Sequence, residues 1–73
     1  MVTLDMRGRR CPEPFVEIVR AFMGMGWRGE VKVITDNKEC AEFIKSYGGD
    51  MGFEVSYEAK GDLFEVMVRK GGS

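Results

Sequence analysis

The 73 residues are 44% hydrophobic and 32% charged, the mix of one soluble globular domain and not of a disordered or membrane-spanning chain. A net charge of −1 supplies no global basic field for nucleic acid phosphates. The chain has no histidine, which excludes His-based acid–base catalysis, Cys-His pairs and His metal sites; its two cysteines cannot close a zinc site alone, so neither a metal nor a cofactor is expected.

Val2, Leu4 and Met6 alternate with Thr3 and Asp5, the pattern of a short strand. Gly8-Arg9-Arg10 forms a connecting loop, and a helix is expected from Cys11-Pro12. Phe15, Ile18, Val19 and Phe22 give that helix an apolar stripe, and Gly24 and Gly26 end it. Trp27 and Arg28 follow in the loop. Both are types enriched at interfaces, and Trp27 can equally cover the edge of a thin core.

Val31, Val33 and Ile34 make a second strand, nearly continuously apolar as a central strand would be. Asp36 and Glu39 have the spacing of a capping box at the start of a second helix. Its apolar face carries Cys40, Phe43, Ile44, Tyr47 and Met51; Gly48-Gly49 either shortens or merely weakens the helix, with Gly52 as the later stop. Phe53, Val55 and Tyr57, then Phe64, Val66 and Val68, alternate with polar or exposed positions on either side of Gly61, which reads as a hairpin. The expected fold is an α/β (α+β) two-layer sandwich of order βαβαββ: a four-stranded mixed sheet with two helices on one face. Residues 1–70 form a single domain in this reading, and 71–73 (Gly-Gly-Ser) a flexible tail.

The chemistry concentrates at the start of the first helix. Pro12 suits the first helical position, and Pro14 still lies in the turn whose N–H groups lack intrahelical partners. Cys11 is thereby expected at the N-cap, a place that cysteine is not favoured to fill for structural reasons. There the macrodipole and the nearby Arg9 and Arg10 lower a thiol pKa, while Glu13 opposes them. The same field would hold the anionic sulfur of a persulfide.

The segment Leu4-Asp5-Met6-Arg7-Gly8-Arg9-Arg10-Cys11-Pro12-Glu13-Pro14 closely resembles the N-terminal signature of TusA/SirA-like sulfur carriers: Leu-Asp, two residues, Gly, two residues, Cys-Pro-x-Pro. The length and the βαβαββ order resemble that family too, over nearly the whole chain. Arg9, where many relatives have an apolar residue, and the Gly48-Gly49 pair depart from it. The resemblance implies that Cys11 takes a sulfane sulfur from a donor protein, a cysteine desulfurase or a rhodanese, holds it as a persulfide and passes it to an acceptor protein. It implies that Pro12 and Pro14 shape the helix start and that Asp5 and Gly8 fix the strand and loop before it. The family serves tRNA thiolation, molybdenum cofactor chemistry or sulfur oxidation, and nothing in the residues chooses among them. Direct nucleic acid binding and membrane association are not expected.

Cys40 fits the core stripe of the second helix, and a resolving thiol is the other reading. Neighbouring helices pack about 8–10 Å apart, whereas a disulfide needs Cα atoms within about 7 Å. With no signal-peptide pattern evident, a reducing cytoplasmic setting with both thiols free is the expectation. A non-catalytic protein- or RNA-interaction module with a structural Cys11 stands as the alternative function. A dithiol oxidoreductase would need the Cys-x-x-Cys that is missing.

Overall fold

A computed structural model of the chain describes residues 2–10 and 13–70. Cys11, Pro12 and the 71–73 tail lie outside the described residues, so the expectations placed on them are not addressed by its geometry. The elements run β1 (Val2–Asp5), α1 (Glu13–Gly24), β2 (Glu30–Thr35), α2 (Lys38–Asp50), β3 (Phe53–Lys60) and β4 (Leu63–Lys70). The sheet order is β1-β2-β4-β3. β1 pairs parallel to β2, with Leu4 opposite Val33; β4 pairs antiparallel to both β2 and β3, with Val66 opposite Val33 on one side and Tyr57 on the other. The expected mixed sheet, with its last strand running against both neighbours, is what forms.

The period-2 pattern of β2 decides which face is covered. Val31, Val33 and Thr35 are buried while Glu30, Lys32 and Ile34 are half-buried. Val66 and Val68 extend the same face, and Ile18 and Phe22 of α1 and Cys40, Ala41 and Ile44 of α2 close it from above. Ile34 thus belongs to the other face, where the apolar run of β2 ends in a partly wetted side chain.

α1 ends in a Schellman turn. The Trp27 N–H donates to the Phe22 carbonyl at 2.8 Å and the Gly26 N–H to the Met23 carbonyl at 3.4 Å. This puts Gly26, at φ +68, in the left-handed position that a side chain would disfavour, with Gly24 the last helical residue. Trp27 then stacks on Phe22 with ring centroids 6.3 Å apart and planes 4° apart, and on Phe53 at 6.3 Å. Its ring covers the edge of the core, and 43% of the residue stays exposed.

α2 corrects the sequence reading in two respects. Its N-cap is Asn37, not Asp36: the Asn37 side chain accepts from the Cys40 N–H at 3.2 Å, while the Asn37 N–H donates to Thr35 Oγ1 at 3.1 Å. Its buried face is Cys40, Ala41, Ile44 and Gly48, which leaves Tyr47 and Met51 each 53% exposed. Of the two ends left open for this helix, the later one holds: it runs through both glycines to Asp50, and Gly52, at φ +92, follows its C-cap Met51. The rotation and the glycine have one cause. A Cβ on Gly48 would lie 2.7 Å from Val55 Cγ2, so α2 rests on β3 at a distance only glycine permits. Tyr47 stays at the rim, stacked on Phe43 at 4.4 Å between centroids.

Candidate functional site

Because β1 and β2 are parallel neighbours, the loops that leave them emerge at the same end of the sheet, and both helices start there. The two loops are tied together. The Met6 N–H donates to the Ile34 carbonyl at 2.8 Å, and the Gly8 N–H donates to Asp36 Oδ1 at 3.2 Å. Asp36, expected to cap α2, holds the first loop instead. Gly8 sits at φ +78, so its lack of a side chain is used in the turn.

Asp5 and Arg7 close the loop from the strand side. The Arg7 guanidinium meets the Asp5 carboxylate as a fork, Nε to Oδ1 at 2.9 Å and Nη2 to Oδ2 at 2.8 Å. That donation holds the Asp5 carboxyl below its ordinary range and the Arg7 guanidinium above its own. Because the Asp5 value is lowered on folding, the pair's contribution is present above the ordinary carboxylate pKa and is lost as pH falls through the lowered value. Both side chains are more than half exposed, so the pair sets loop shape more than global stability.

The turn into α1 follows. The Arg9 N–H donates to the Met6 carbonyl at 3.1 Å, and the Glu13 N–H donates to the Arg10 carbonyl at 2.9 Å. Pro14, in the first turn of α1, is buried and anchors the helix start in the core. Arg9 and Glu13 form an ion pair at 2.6 Å. The sequence reading set these two charges against each other around Cys11; here they neutralise each other directly. Arg10 has no salt-bridge partner among the described residues, so it carries the uncompensated positive charge of the loop.

Arg10 shares a surface cavity of about 400 Å³ with Asn37, Glu39, Cys40 and Phe43. Cys40 is 2% exposed and part of the core cluster, as its place in the α2 stripe implied. The expectation of a free thiol there is overturned: Cys40 is disulfide-bonded. Cys40 lies in the first turn of α2, at the end of the sheet where the two loops are tied.

The end of the sheet therefore gathers Asp5, Gly8, Arg9, Arg10, Glu13 and Pro14 around the entry to α1, as the sequence grouped them. It adds Arg7, Asp36 and Cys40 to that group. The signals for the additions were modest: an Asp-x-Arg spacing, a second acidic residue at the end of β2, and a cysteine one helical turn beyond it. No group of three or more His, Cys, Asp or Glu side chains capable of holding a metal occurs among the described residues. No described helix is long and apolar enough to cross a membrane. Among the described residues, the entry to α1 thus brings together one arginine with no salt-bridge partner and, lining the same cavity, one buried sulfur, that of Cys40.

No curated protein matches the chain. Among solved structures, a SirA-like protein from Desulfitobacterium hafniense is similar, with a TM-score of 0.87 and 28% identity, covering 99% of this chain and 100% of that one. The family model described as sulfurtransferase TusA matches residues 2–70, a span that holds the Cys-Pro-Glu-Pro segment and every element of the fold. By that match over nearly its whole length, the chain belongs to the TusA family of sulfurtransferases.

Proposed function

We propose that this protein is a sulfur carrier that accepts a sulfane sulfur on Cys11 as a persulfide and relays it to the cysteine of an acceptor protein. The family match carries this reading, because it spans the only Cys-Pro-x-Pro segment of the chain, Cys11 to Pro14. The donor is a cysteine desulfurase or a rhodanese-type protein, and the setting is the cytoplasm. The chain is a component of a relay more than a stand-alone catalyst.

The chemistry needs little beyond one positioned sulfur. A thiolate attacks the donor's sulfane sulfur, the donor leaves as a thiol, and the extra sulfur stays on Cys11 until an acceptor thiolate attacks it in turn. A helix N-terminus and Arg10 favour the anionic sulfur at each stage. Pro12 and Pro14 keep the helix start rigid, while the Asp5–Arg7 fork and the Gly8–Asp36 bond hold the loop that delivers the cysteine.

The test is mass spectrometry of the reduced protein after exposure to a persulfide donor. The wild type should gain one sulfur on Cys11, transiently or stably, and Cys11→Ser should gain none while keeping its fold, since serine is a favoured N-cap. A stoichiometric persulfide on folded Cys11→Ser would sink the reading.

A further inference from the structure

Two observations converge on Cys40. It is disulfide-bonded, although it is buried in the core and 2% exposed. It also lines the cavity that Arg10 lines, directly before Cys11 in the chain. The tie between Gly8 and Asp36, at 3.2 Å, joins the loop after β1 to the loop that leads into α2. The Cys40 backbone is fixed as well, since its N–H donates to the Asn37 side chain at 3.2 Å. A thiol so buried cannot be approached by another protein's cysteine, yet it lies at the end of the sheet from which the chain leaves β1 toward α1.

We propose that Cys40 is the resolving thiol of Cys11, discharging an undelivered persulfide as sulfide by closing a Cys11–Cys40 disulfide. The proposal rests on the reading of Cys11 as the residue that bears the persulfide. The Cys40 thiolate attacks Cys11 Sγ. The Cys40–Cys11 sulfur–sulfur bond forms, and the bond between Cys11 Sγ and the terminal sulfur breaks. The terminal sulfur departs with the electron pair of that bond and takes up the Cys40 proton as hydrosulfide. Two cysteine thiols are thereby oxidised to a disulfide and one sulfane sulfur is reduced to sulfide, with no outside oxidant. A dithiol reductant then restores both thiols for the next cycle. The carrier would thus deliver to a protein acceptor when one is docked, and otherwise release sulfide and lock itself empty.

The experiment begins with wild type, Cys40→Ala and Cys40→Ser, each reduced, desalted, loaded briefly with glutathione persulfide and desalted again without reductant. Sulfide release and intact mass are followed together. The wild type should release one equivalent of sulfide and end two hydrogens lighter than the reduced chain, with Cys11 and Cys40 linked in peptide mapping. Both variants should retain the added sulfur and release no sulfide over the same interval. Retention of sulfur by the wild type for as long as by the variants would overturn the proposal while leaving the carrier reading intact. A disulfide between two chains in place of the intramolecular one would overturn it too. If neither wild type nor variants gain sulfur, the carrier reading fails and this proposal with it. The wild-type arm stands without the variants, and amide dispersion in NMR spectra shows whether the alanine and serine chains are folded.

Discussion

At the scale of single residues, the site is a set of charges whose pairing matters more than their number. The sequence places Arg9, Arg10 and Glu13 near Cys11, and it does not say which arginine Glu13 takes. The helical start decides this: Arg9 and Glu13 are four apart and meet at 2.6 Å, so one cation and one anion cancel. Removing the anion should therefore act twice, by deleting a negative charge near the carrier sulfur and by releasing the Arg9 guanidinium. We expect Glu13→Gln to shift the pH profile of Cys11 alkylation in the reduced protein to lower pH, on the order of a few tenths of a unit, the scale of one or two partly solvated charges. An unchanged or raised midpoint would mean that the pair is too well screened to reach the sulfur. Asp5 was legible as a family-like position, but its partner Arg7 was not, because an exposed arginine two residues on carries no periodic signal.

At the scale of elements, the sequence revealed every strand and helix, because each carries a period of 2 or 3.6 except β2, which shows as a short, nearly continuous apolar run. It misjudged the entry and rotation of α2, which are set by tertiary contact. Asp36 and Asn37 are both good caps, and only the strand register, with Thr35 buried opposite Phe64, puts Asn37 at the cap and frees Asp36 for Gly8. The glycine pair likewise reads as two helix-weakening residues until β3 is packed beneath it. The two positions then separate. A methyl group at Gly48 would lie 2.7 Å from Val55 Cγ2, on a β-branched side chain with little freedom to turn, whereas nothing lies within 4 Å of a Cβ at Gly49. We expect Gly49→Ala to stabilise the protein by up to about 1 kcal/mol through helix propensity. Gly48→Ala gains the same propensity but overpacks the α2–β3 contact, which typically costs about 1–3 kcal/mol, so its net effect should be destabilising. Urea melts of the two variants should move in opposite directions. A stabilised Gly48→Ala would show that β3 yields easily and that the close approach is incidental.

At the scale of the whole molecule, the legible part was the architecture: the βαβαββ order and right-handed crossovers leave few sheets to choose among. The link between the two helix starts was less legible. Parallel pairing of β1 and β2 brings Cys40 to the end of the sheet that holds the Cys11 loop, a juxtaposition of residues far apart in sequence that no local pattern encodes. The same geometry bears on how a donor protein docks. With a net charge of −1, the molecule offers no long-range attraction to acidic partners, so any guidance is local. Arg7 is matched by Asp5 and Arg9 by Glu13, which leaves Arg10 facing the cavity at the site. Two unit charges about 10 Å apart in water interact by roughly 0.4 kcal/mol, so reversing one changes an encounter by about 0.8 kcal/mol, about fourfold in rate before screening. We expect Arg10→Glu to slow loading from a protein donor by that order at low salt and by much less as salt rises, since exposed charges act mainly on association and are screened. Arg9→Glu should also slow loading, because it leaves Glu13 unmatched. That variant places two acidic side chains together at the loop, so part of its effect should appear as a raised Cys11 pKa and persist with a small neutral persulfide donor. Dividing the rate with the protein donor by the rate with the small donor removes that shared part. The ratio should fall more for Arg10→Glu than for Arg9→Glu, and the difference should vanish at high salt. Equal ratios at low salt would show that the two arginines act on the sulfur alone and that docking is guided from elsewhere on the surface.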